Sequence, residues 1–332
     1  MTRILVTGAD GFIGSHLTEE LVRIGFEVRA LCLYNSVGSW GWLDKCSPDL
    51  KGKFEVVLGD IRDTYSIDQI VKDCDGIFHL ASLISIPYSY KSPQSYIDTN
   101  VNGTLNLLQA AVTHDISNFV HTSTSEVYGT AQVIPIDENH PIVGQSPYAA
   151  SKIAADQLAY SFYATYNLPI KIVRPFNTYG PRQSTRAVIP TIINQISKGL
   201  KSLSLGQIKS TRDFSYVEDT VEGFIAAYKY TRANGEVFNL GSNFEISIES
   251  TVREISKIMG VETSINLDEK RLRPINSEVF RLYSNNHKAK EILNWYPKYT
   301  GLEGFRLGLT KTIEWFINDQ DMGKDQKDKF YL

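Results

Sequence analysis

Short apolar runs alternate with helix-like stretches through the first half of the chain, and this alternation limits the possible folds more than any other feature. The runs RILVTG, EVRALCL, FEVVLGD and GIFHLAS are separated by stretches such as FIGSHLTEELVRIG and IDQIVKDC. Alternation of this kind is typical of βαβ units, whose helices cover both faces of a parallel sheet. The sequence therefore predicts an α/β fold with a doubly wound parallel sheet.

Three glycines follow the first predicted strand and open the first predicted helix. Strand ILVTG runs into Gly8, Gly11 and Gly14, and the helix SHLTEELVRIG comes next. Such glycines permit a tight turn and a close approach of the backbone to a diphosphate, while the helix N-terminus offers unpaired N–H groups and a positive dipole. Three glycines near a turn can also be purely conformational. Their position between strand and helix favours a dinucleotide site in a Rossmann-type fold.

The spacing of apolar residues becomes irregular after Gly180-Pro181. The helical pattern recurs near 189–198, 220–230 and 248–259, and SLSLG and EVFNLGS are short strand candidates. A chain of 332 residues is long enough for a large domain and a smaller lobe, with a cleft between them. We predict a dinucleotide-binding domain over 1–180 with a returning part near 214–245, a smaller mixed α/β substrate lobe over 181–213 and 246–318, and a polar tail over 319–332.

Charge and cysteine usage argue against several classes of protein. The net charge is −3, and no basic run is present that would follow a nucleic acid or an anionic membrane. No apolar run reaches the roughly 20 residues that span a bilayer, and MTRILVTGAD lacks an apolar signal region, so we expect a cytoplasmic protein. Cys32, Cys46 and Cys74 lack CxxC spacing, and the six histidines form no HExxH or His/Cys cluster. Neither a disulfide framework nor a metal site is predicted.

Tyr148 and Lys152 lie four residues apart in the sequence YAASK, within a predicted helix over about 148–166. This spacing puts the phenol and the ammonium on one helix face, about one turn from each other. Tyrosine has an ordinary pKa of about 10, and a nearby positive charge lowers it. A cationic, oxidised nicotinamide would lower it further, so that Tyr148 can take a proton from an alcohol while hydride leaves the same carbon. The alternative is a tyrosine packed against a lysine stem.

The stretch HTSTSEVYG, residues 121–129, follows a predicted buried strand and puts hydroxyl side chains and Glu126 at its end. The carboxyl ends of parallel strands are where open α/β proteins place their ligands. The stretch is therefore a candidate for the reacting site, together with Tyr148 and Lys152. The alternative is a polar loop in which Glu126 is a surface charge.

The spacing GxxGxxG, with Gly59-Asp60-Ile61 and Leu80-Ala81-Ser82 at later strand ends, resembles the extended short-chain dehydrogenase/reductase family of NAD-dependent sugar-nucleotide epimerases and dehydratases. In that family the Asp-Ile pair meets the adenine and the Leu-Ala stretch lies along the cofactor. The resemblance implies a cofactor site formed by Gly8, Asp10, Gly11, Phe12, Ile13, Gly14, Asp60, Ile61, Leu80, Ala81, Ser82, Tyr148 and Lys152.

The residue at the end of the second predicted strand usually distinguishes NAD from NADP. An acidic residue there would bind the ribose hydroxyls of NAD, and an arginine would favour the phosphate of NADP. The sequence EVRALCLYN places Cys32 and Leu33 at that point, so neither signal is present. The lack of a basic residue favours NAD, and NADP is left open.

The run Ser123-Thr-Ser-Glu-Val-Tyr-Gly129 resembles the corresponding motif of nucleotide-sugar 4,6-dehydratases. The resemblance implies that Thr124 binds the oxygen on C4 of the sugar and that Glu126 removes the C5 proton. Ser125 stands where glucose-type dehydratases have an aspartic acid that protonates the leaving hydroxyl, whereas GDP-mannose dehydratases have a serine. A serine relays a proton or orients water but is a poor acid. The implied catalytic residues are Thr124, Ser125, Glu126, Tyr148 and Lys152.

The segments 174–183, 187–190 and 212–219 match, in order, stretches that form the nucleotide-sugar pocket of the family. Asn177, Arg212 and Arg273 are reasonable donors to a diphosphate, since a guanidinium binds two phosphate oxygens with matched geometry, and Val188 would lie against the base. An arginine judged alone is about as often part of a surface ion pair. The stretches YNSVGSWGWLD, TSTSEVYGT and RPFNTYGPRQS resemble bacterial dehydratases acting on UDP- or GDP-linked N-acetylglucosamine in legionaminic or pseudaminic acid pathways.

These motifs favour a nucleotide-sugar 4,6-dehydratase that yields a 4-keto-6-deoxy sugar. One rival is an epimerase acting at C4 or C5, or an oxidoreductase acting on an already dehydrated 5,6-ene sugar. Another is a non-catalytic nucleotide-binding regulator, although a regulator has no need of Thr124, Tyr148 and Lys152 together. Helices around 98–114 and 148–166 resemble those that form a four-helix bundle in family dimers, so the resemblance implies a homodimer.

Overall fold

The computed structural model describes residues 2–318, and the predicted polar tail at 319–332 lies outside the described residues. Within this range the strands are β1 (Arg3–Thr7), β2 (Glu27–Leu33), β3 (Glu55–Gly59), β4 (Gly76–His79), β5 (Asn118–Thr122), β6 (Ile170–Pro175), β7 (Asn177–Tyr179), β8 (Ser202–Leu205), β9 (Thr211–Tyr216), β10 (Val237–Leu240), β11 (Glu245–Ser247) and β12 (Ser264–Leu267). The helices are α1 (Phe12–Arg23), α2 (Thr64–Val71), α3 (Ile86–Lys91), α4 (Pro93–Tyr96), α5 (Gly103–Thr113), α6 (Pro147–Tyr166), α7 (Val188–Ser197), α8 (Val217–Lys229), α9 (Ile248–Ile258), α10 (His287–Leu293) and α11 (Gly301–Asn318).

Seven strands form one parallel sheet in the order β10-β6-β5-β4-β1-β2-β3. The chain starts in the middle of the sheet, moves out through β2 and β3, and then returns to build the other half from β4. The order therefore reverses between β1 and β4, which creates the crevice where doubly wound folds bind dinucleotides. The predicted Rossmann-type fold is confirmed.

The strands are apolar on both faces because helices cover both sides of the sheet. In β1, Ile4 and Val6 belong to the core beneath α1 and α8, whereas Leu5 belongs to the core beneath α2, α5 and α6. All three side chains are completely buried. Apolar side chains along β4 and β5 divide between the same two cores, which explains why these segments read as continuous apolar runs.

The second half of the chain builds smaller sheets and also returns to the large one. Strands β11, β9 and β7 form a three-stranded sheet, and β12 pairs with β8. Helix α8 packs against α1, and β10 joins the edge of the main sheet beside β6. None of the helices in residues 2–318 is long and apolar enough to cross a bilayer.

The helix predicted around 98–114 has a more complex start. A π-helical turn at Ile97–Asn102 joins α4 to α5. Asn100 in this turn is buried, and its amide donates to the Leu83 carbonyl (3.0 Å) and to the Ser151 hydroxyl (2.9 Å). The π-turn thus ties the loop after β4 to α6. Such turns often occur at functional sites.

Candidate functional site

The ends of β1, β4 and β5 bring the glycine loop, the Leu80–Ser82 stretch and the Thr124–Glu126 turn to one edge of the sheet. Thr7, the last residue of β1, accepts hydrogen bonds at its hydroxyl from the backbone N–H groups of Leu80 and Ala81, both at 3.1 Å. The Thr7 hydroxyl also contacts His79 Nδ1 at 2.8 Å. These bonds fix two of the predicted cofactor-binding segments relative to each other.

The glycine loop leaves the start of α1 open to an anion. Helix α1 begins at Phe12 after Gly11, no side chain caps its N-terminus, and its first turn contains no acidic residue. A Cβ at Gly14 would overlap the Gly8 carbonyl oxygen, so the close packing of helix and loop requires glycine there. Free N–H groups and a helix dipole at a loop of this shape fit a phosphate group.

The Asp10 carboxylate lies near the end of β2, and at that end the strand itself has neither an acidic residue nor an arginine. Its carboxylate accepts a hydrogen bond from the Leu33 N–H (3.4 Å), and its carbonyl accepts one from Trp42 (3.0 Å). Burial, together with the negative charges of Asp10 and Asp44, raises the pKa of the Cys32 thiol to about 12. Two carboxylates therefore lie near the strand end where the sequence offered neither an acid nor an arginine. This proximity was not predictable, since Asp10 comes from another loop.

Asp60 and Ile61 follow β3 but differ in their surroundings. The Asp60 carboxylate forms an ion pair with Arg62, with Nη2 and Oδ2 separated by 2.5 Å. Hydrogen bonds from Arg62 oppose the effect of burial and lower the pKa of Asp60. Ile61 is buried in the core beneath α2 and α5. The Ile61 side chain therefore supports the sheet edge.

Tyr148 and Lys152 lie on one face of α6, as the spacing predicts. Pro147 occupies the first turn, and the Ser146 hydroxyl caps the helix by accepting from the Ala149 N–H. Tyr148 is buried, with its ring edge-on to Tyr96 at 6.2 Å between centroids. Burial raises the pKa of Tyr148, a hydrogen bond with Thr124 lowers it, and the charge of Glu126 raises it again. The expected lowering of this pKa is absent from the protein alone because burial outweighs it.

The Lys152 ammonium is buried and donates a hydrogen bond to the Thr122 carbonyl at 2.6 Å. Burial lowers the pKa of Lys152 to about 8, and the charge of Asp156 opposes this effect. Lys152 is thus charged at neutral pH but close to titrating. An ammonium can donate three hydrogen bonds, and two of them stay available to a bound molecule.

Glu126 lies in a 3-10 turn at Ser125–Tyr128, which the Thr124 hydroxyl caps by accepting from the Glu126 N–H (3.2 Å). It is only 8% exposed, so its interpretation as a surface charge is wrong. Its negative charge raises the pKa values of both Tyr148 and Arg212. None of the residues 2–318 donates a hydrogen bond to its carboxylate. Ser125 beside it is also buried.

Arg212 and Arg273 meet around Glu278. Arg212 Nη2 is 3.5 Å from Glu278 Oε1, and Arg273 Nε is 4.0 Å from Oε2. Burial and the nearby Arg273 lower the pKa of Arg212. Arg273 Nη1 is buried, and no hydrogen-bond partner for it is found in the described part of the chain. Two guanidiniums with one shared carboxylate and an unpaired donor fit an anion such as a diphosphate.

The other two predicted substrate residues lie on neighbouring elements. Asn177 begins β7, beside the strand that carries Arg212, and its Oδ1 is buried without a partner among the described residues. Val188 is the first residue of α7 and packs against the main core. The structure thus brings Arg212, Arg273 and Glu126 together. Glu278 is a member of this cluster that the sequence did not indicate.

Asp156 is a further residue that the sequence analysis missed. It is buried one turn beyond Lys152 on the same helix face, and its carboxylate accepts from the Ser123 hydroxyl (2.7 Å) and from Arg174 (3.0 Å). His121 Nε2 lies 3.2 Å from its other oxygen. The spacing of 148, 152 and 156 was the available signal, because residues at i, i+4 and i+8 share a helix face.

The sequence and fold match known proteins over nearly the whole chain. Residues 5–307 match the family described as GDP-mannose 4,6-dehydratase. The chain belongs to this family. It therefore lies within the NAD-dependent epimerase/dehydratase group of extended short-chain dehydrogenases, as predicted.

Relatives in this family catalyse different reactions. A UDP-N-acetyl-alpha-D-glucosaminuronate decarboxylase from Bacillus cytotoxicus is 33% identical, covering 95% of this chain and 97% of its own. A double mutant of DesIV, the dTDP-glucose 4,6-dehydratase of Streptomyces venezuelae, solved with NAD, is 28% identical with a TM-score of 0.85 and covers 96% and 98%. The UDP-glucuronic acid 4-epimerase of Bacillus cereus, solved with its substrate and NAD, has the same identity and TM-score and covers 95% and 99%.

These similarities identify the chain as an enzyme of the nucleotide-sugar dehydratase/epimerase class. They do not support a non-catalytic regulator. The particular reaction differs among relatives of equal similarity, so similarity alone does not identify the reaction of this chain. No group of His, Cys, Asp and Glu side chains suited to a metal ion occurs in residues 2–318.

Proposed function

We propose that the protein is a nucleotide-sugar 4,6-dehydratase, a lyase that removes water across C5 and C6 of a hexose and gives a 4-keto-6-deoxy sugar. The observation that carries the proposal is the buried, unpaired carboxylate of Glu126, whose charge acts on both Tyr148 and Arg212. A base between the phenol and the diphosphate cluster is what C5 deprotonation needs. A simple 4-epimerase does not need such a base.

We propose NAD as the cofactor, held by the glycine loop, the Leu80–Ser82 stretch and Lys152. The uncapped start of α1 suits the diphosphate, and the Asp10 and Asp44 carboxylates near Cys32 suit ribose hydroxyls and oppose the additional phosphate of NADP. Related structures contain NAD. When bound, NAD supplies the hydride acceptor for C4, the hydride donor for C6 and a positive charge beside the phenol.

Three side chains perform the proton chemistry at C4 in this proposal. Tyr148 takes the proton of the C4 hydroxyl, and Thr124 holds the same oxygen through the hydroxyl that already bonds to the phenol. The Lys152 ammonium favours the phenolate electrostatically. Because burial raises the pKa of Tyr148 in the protein alone, the charge of oxidised NAD would add to that of Lys152 in favouring the phenolate.

Elimination follows at C5 and C6. The proton at C5 becomes acidic once C4 is a ketone, and Glu126 takes it. The C6 hydroxyl leaves as water after receiving a proton through Ser125, which acts as a relay because a serine hydroxyl is a weak acid. Glu126 then returns a proton to C5 as the hydride taken from C4 is added at C6, and the proton that Tyr148 took from the C4 hydroxyl balances the one lost in water. The substrate loses one water, and the cofactor finishes in its starting redox state. Tight retention of the cofactor is therefore expected.

The substrate in this proposal is a UDP- or GDP-linked hexose, with N-acetylglucosamine as the leading sugar from the motif resemblance. Arg212, Arg273 and Asn177 bind the diphosphate, and Val188 lies against the base. The unpaired Arg273 Nη1 supports its role, since buried polar atoms usually have partners, whereas Asn177 would have to donate through its Nδ2. Residues 181–213 and 246–318 form the substrate-binding lobe in this interpretation.

We also propose that the enzyme is a homodimer through the helices at 98–114 and 148–166. Large apolar side chains are exposed on or next to these helices: Ile97, Tyr160 and Tyr166 are 42%, 51% and 57% exposed. Exposed aromatic and other apolar side chains are common at protein interfaces. Light scattering after size-exclusion chromatography should give the mass of two chains, and a monomer mass would contradict this assignment.

The second candidate is a C4 or C5 epimerase, or an oxidoreductase acting on a 5,6-ene sugar, and the observation that favours it is Ser125. The site offers a hydroxyl and no carboxylic acid at the position next to Glu126. An enzyme that does not expel the C6 hydroxyl has no need of an acid there.

Incubation with UDP-N-acetylglucosamine and with its GDP counterpart, followed by mass spectrometry and NMR of the product, separates these functions. The proposal predicts loss of one water and a ketone at C4. An unchanged mass with inverted stereochemistry would instead establish an epimerase. No turnover of either sugar nucleotide, or of dTDP-glucose, would overturn the proposal.

A further inference from the structure

We propose that Gln145 is a positioning residue that fixes the segment 273–280, which carries Arg273 and Glu278, against the catalytic turn, and thereby sets the affinity for the nucleoside diphosphate. The inference rests on the proposed function. Gln145 lies three residues before Tyr148, outside every motif that pointed to the site. Its contacts reach residues more than 130 positions away.

Both the nitrogen and the oxygen of the Gln145 carboxamide form hydrogen bonds. Its Nε2 donates to the carbonyls of Asn276 (3.1 Å) and Glu278 (3.3 Å), while its Oε1 accepts from the Thr130 N–H (2.5 Å). One half-buried side chain thus joins the start of α6, the end of the catalytic turn and the segment 273–280.

Gly129 provides the space for this carboxamide. Its φ is +65°, and a Cβ there would lie 2.5 Å from Gln145 Oε1 and 2.8 Å from the Val143 carbonyl. A larger residue would therefore be strained and would displace the glutamine. The glycine that ends the stretch HTSTSEVYG is explained by this contact.

The segment 273–280 depends on such contacts because it has little regular structure, only a 3-10 turn at Ile275–Ser277. Thr130 makes a second attachment, since its hydroxyl accepts from the Phe280 N–H (3.1 Å) and donates to the Glu278 carbonyl (3.4 Å). Tyr90 makes a third by sharing a hydrogen bond with the Ser277 hydroxyl (2.7 Å). These three attachments come from residues before 181, and a further one, from the Thr211 N–H to the Phe280 carbonyl (3.0 Å), comes from β9.

Movement of this segment would displace the anion site directly. The Glu278 carboxylate lies 3.5 Å from Arg212 and 4.0 Å from Arg273, and the Glu278 carbonyl is held by both Gln145 and Thr130. Loss of the Gln145 bonds therefore loosens Arg273, and the Glu278 carboxylate that pairs with Arg212, relative to Tyr148. The cofactor loop at Gly8–Gly14 has no part in these contacts, so NAD affinity should not change.

The test compares Gln145→Ala and Gln145→Glu with Thr130→Val and its conservative control Thr130→Ser. Gln145→Glu keeps the acceptor for Thr130 but turns a carboxylate oxygen toward two carbonyls, so it should be at least as harmful as Gln145→Ala. Calorimetry should show UDP or GDP binding weakened about tenfold in both Gln145 variants, with an equal rise in KM, kcat within about threefold, and unchanged NAD binding. A tenfold weakening corresponds to about 1.4 kcal/mol. Thr130→Ser should bind like the parent, and Thr130→Val should bind more weakly.

The outcomes separate the inference from the proposed function. If the parent binds neither UDP nor GDP nor dTDP and turns over no sugar nucleotide, the proposed function fails. If the parent binds and both Gln145 variants bind equally well, the positioning role is wrong. Equal losses of NAD and nucleotide binding together with a lower melting temperature would assign Gln145 a general structural role and also overturn the inference.

Discussion

The Asp156 carboxylate accepts a hydrogen bond from Arg174 at 3.0 Å, and both side chains are buried. The same carboxylate oxygen accepts from Ser123, next to Thr124, while Asp156 itself lies one turn from Lys152. This ion pair therefore sets the separation between the turn that carries Thr124 and the helix that carries Lys152.

Replacing Asp156 by Asn should destabilise the protein by about 3–5 kcal/mol, because it leaves the buried Arg174 guanidinium without its counter-charge. The double variant Asp156→Asn with Arg174→Met should recover most of that loss, since neither charge then remains. Urea unfolding at pH 7 measures both. A double variant as unstable as the single one would show that the ion pair is not the main contribution.

The same aspartate predicts an acid dependence. Although burial favours the neutral acid, His121, Arg174 and Ser123 together lower the pKa of Asp156. A lowered folded-state pKa gives stability that is present above the ordinary value of about 3.8 and is lost as the pH falls below it. The parent should therefore lose more unfolding free energy than Asp156→Asn between pH 5 and the acid transition, which urea titrations at several pH values can follow.

Lys152→Met should remove activity without lowering stability at pH 7. Burial lowers the pKa of Lys152 to about 8, against about 10.4 in an unfolded chain, so keeping the ammonium charged costs roughly 3 kcal/mol at neutral pH. Replacement by Met removes this cost, and the loss of the hydrogen bond to the Thr122 carbonyl offsets about 1 kcal/mol of the resulting gain in stability. Because the unfolded state binds the extra proton between about pH 8 and 10.4, the parent gains stability there. The difference in unfolding free energy between Lys152→Met and the parent should therefore shrink as the pH rises through that range. A difference that grew with pH would contradict this prediction.

Gly14→Ala should abolish NAD binding while leaving a folded protein. A Cβ at this position overlaps the Gly8 carbonyl oxygen, so α1 must move away from the loop that we propose binds the diphosphate. Saturating NAD should raise the melting temperature of the parent, because a ligand that binds only the folded state stabilises it. The melting temperature of the variant should not respond to NAD. A response equal to that of the parent would show that the close packing of the loop is unnecessary.

NADP should bind at least tenfold more weakly than NAD, because Asp10 and Asp44 place negative charge near the end of β2. Asp10→Asn keeps an acceptor for the Leu33 N–H and removes one charge, so it should narrow the ratio of the two dissociation constants by about tenfold. Fluorescence titration with each reduced cofactor measures the ratio. Equal binding of both cofactors by the parent would contradict the assignment of NAD.

The parts of the molecule that local spacing determines were predictable from the sequence. Alternating apolar runs gave the sheet, the glycine spacing gave the loop before α1, and helix periodicity put Tyr148 and Lys152 on one face. All three follow from interactions within a few residues along the chain. The Rossmann-type fold and the family membership are confirmed.

The parts that depend on long-range contacts were not predictable. Asp10 reaches the end of β2 from another loop, and Glu278 meets Arg212 across 66 positions of sequence. The raised pKa of Tyr148 was also not predictable from the sequence, because it depends on how completely the side chain is buried. Spacing gives the identity of neighbours on one element, whereas burial is a property of the whole fold.

Glu126→Gln provides the most direct test of the central claim that Glu126 removes the C5 proton after C4 has been oxidised. With substrate in excess, this variant should show substrate-dependent accumulation of reduced nicotinamide by absorbance and no loss of water by mass spectrometry. Tyr148→Phe should show neither change. If Glu126→Gln instead forms the dehydrated product at the parental rate, Glu126 is not the base and the proposed mechanism is wrong.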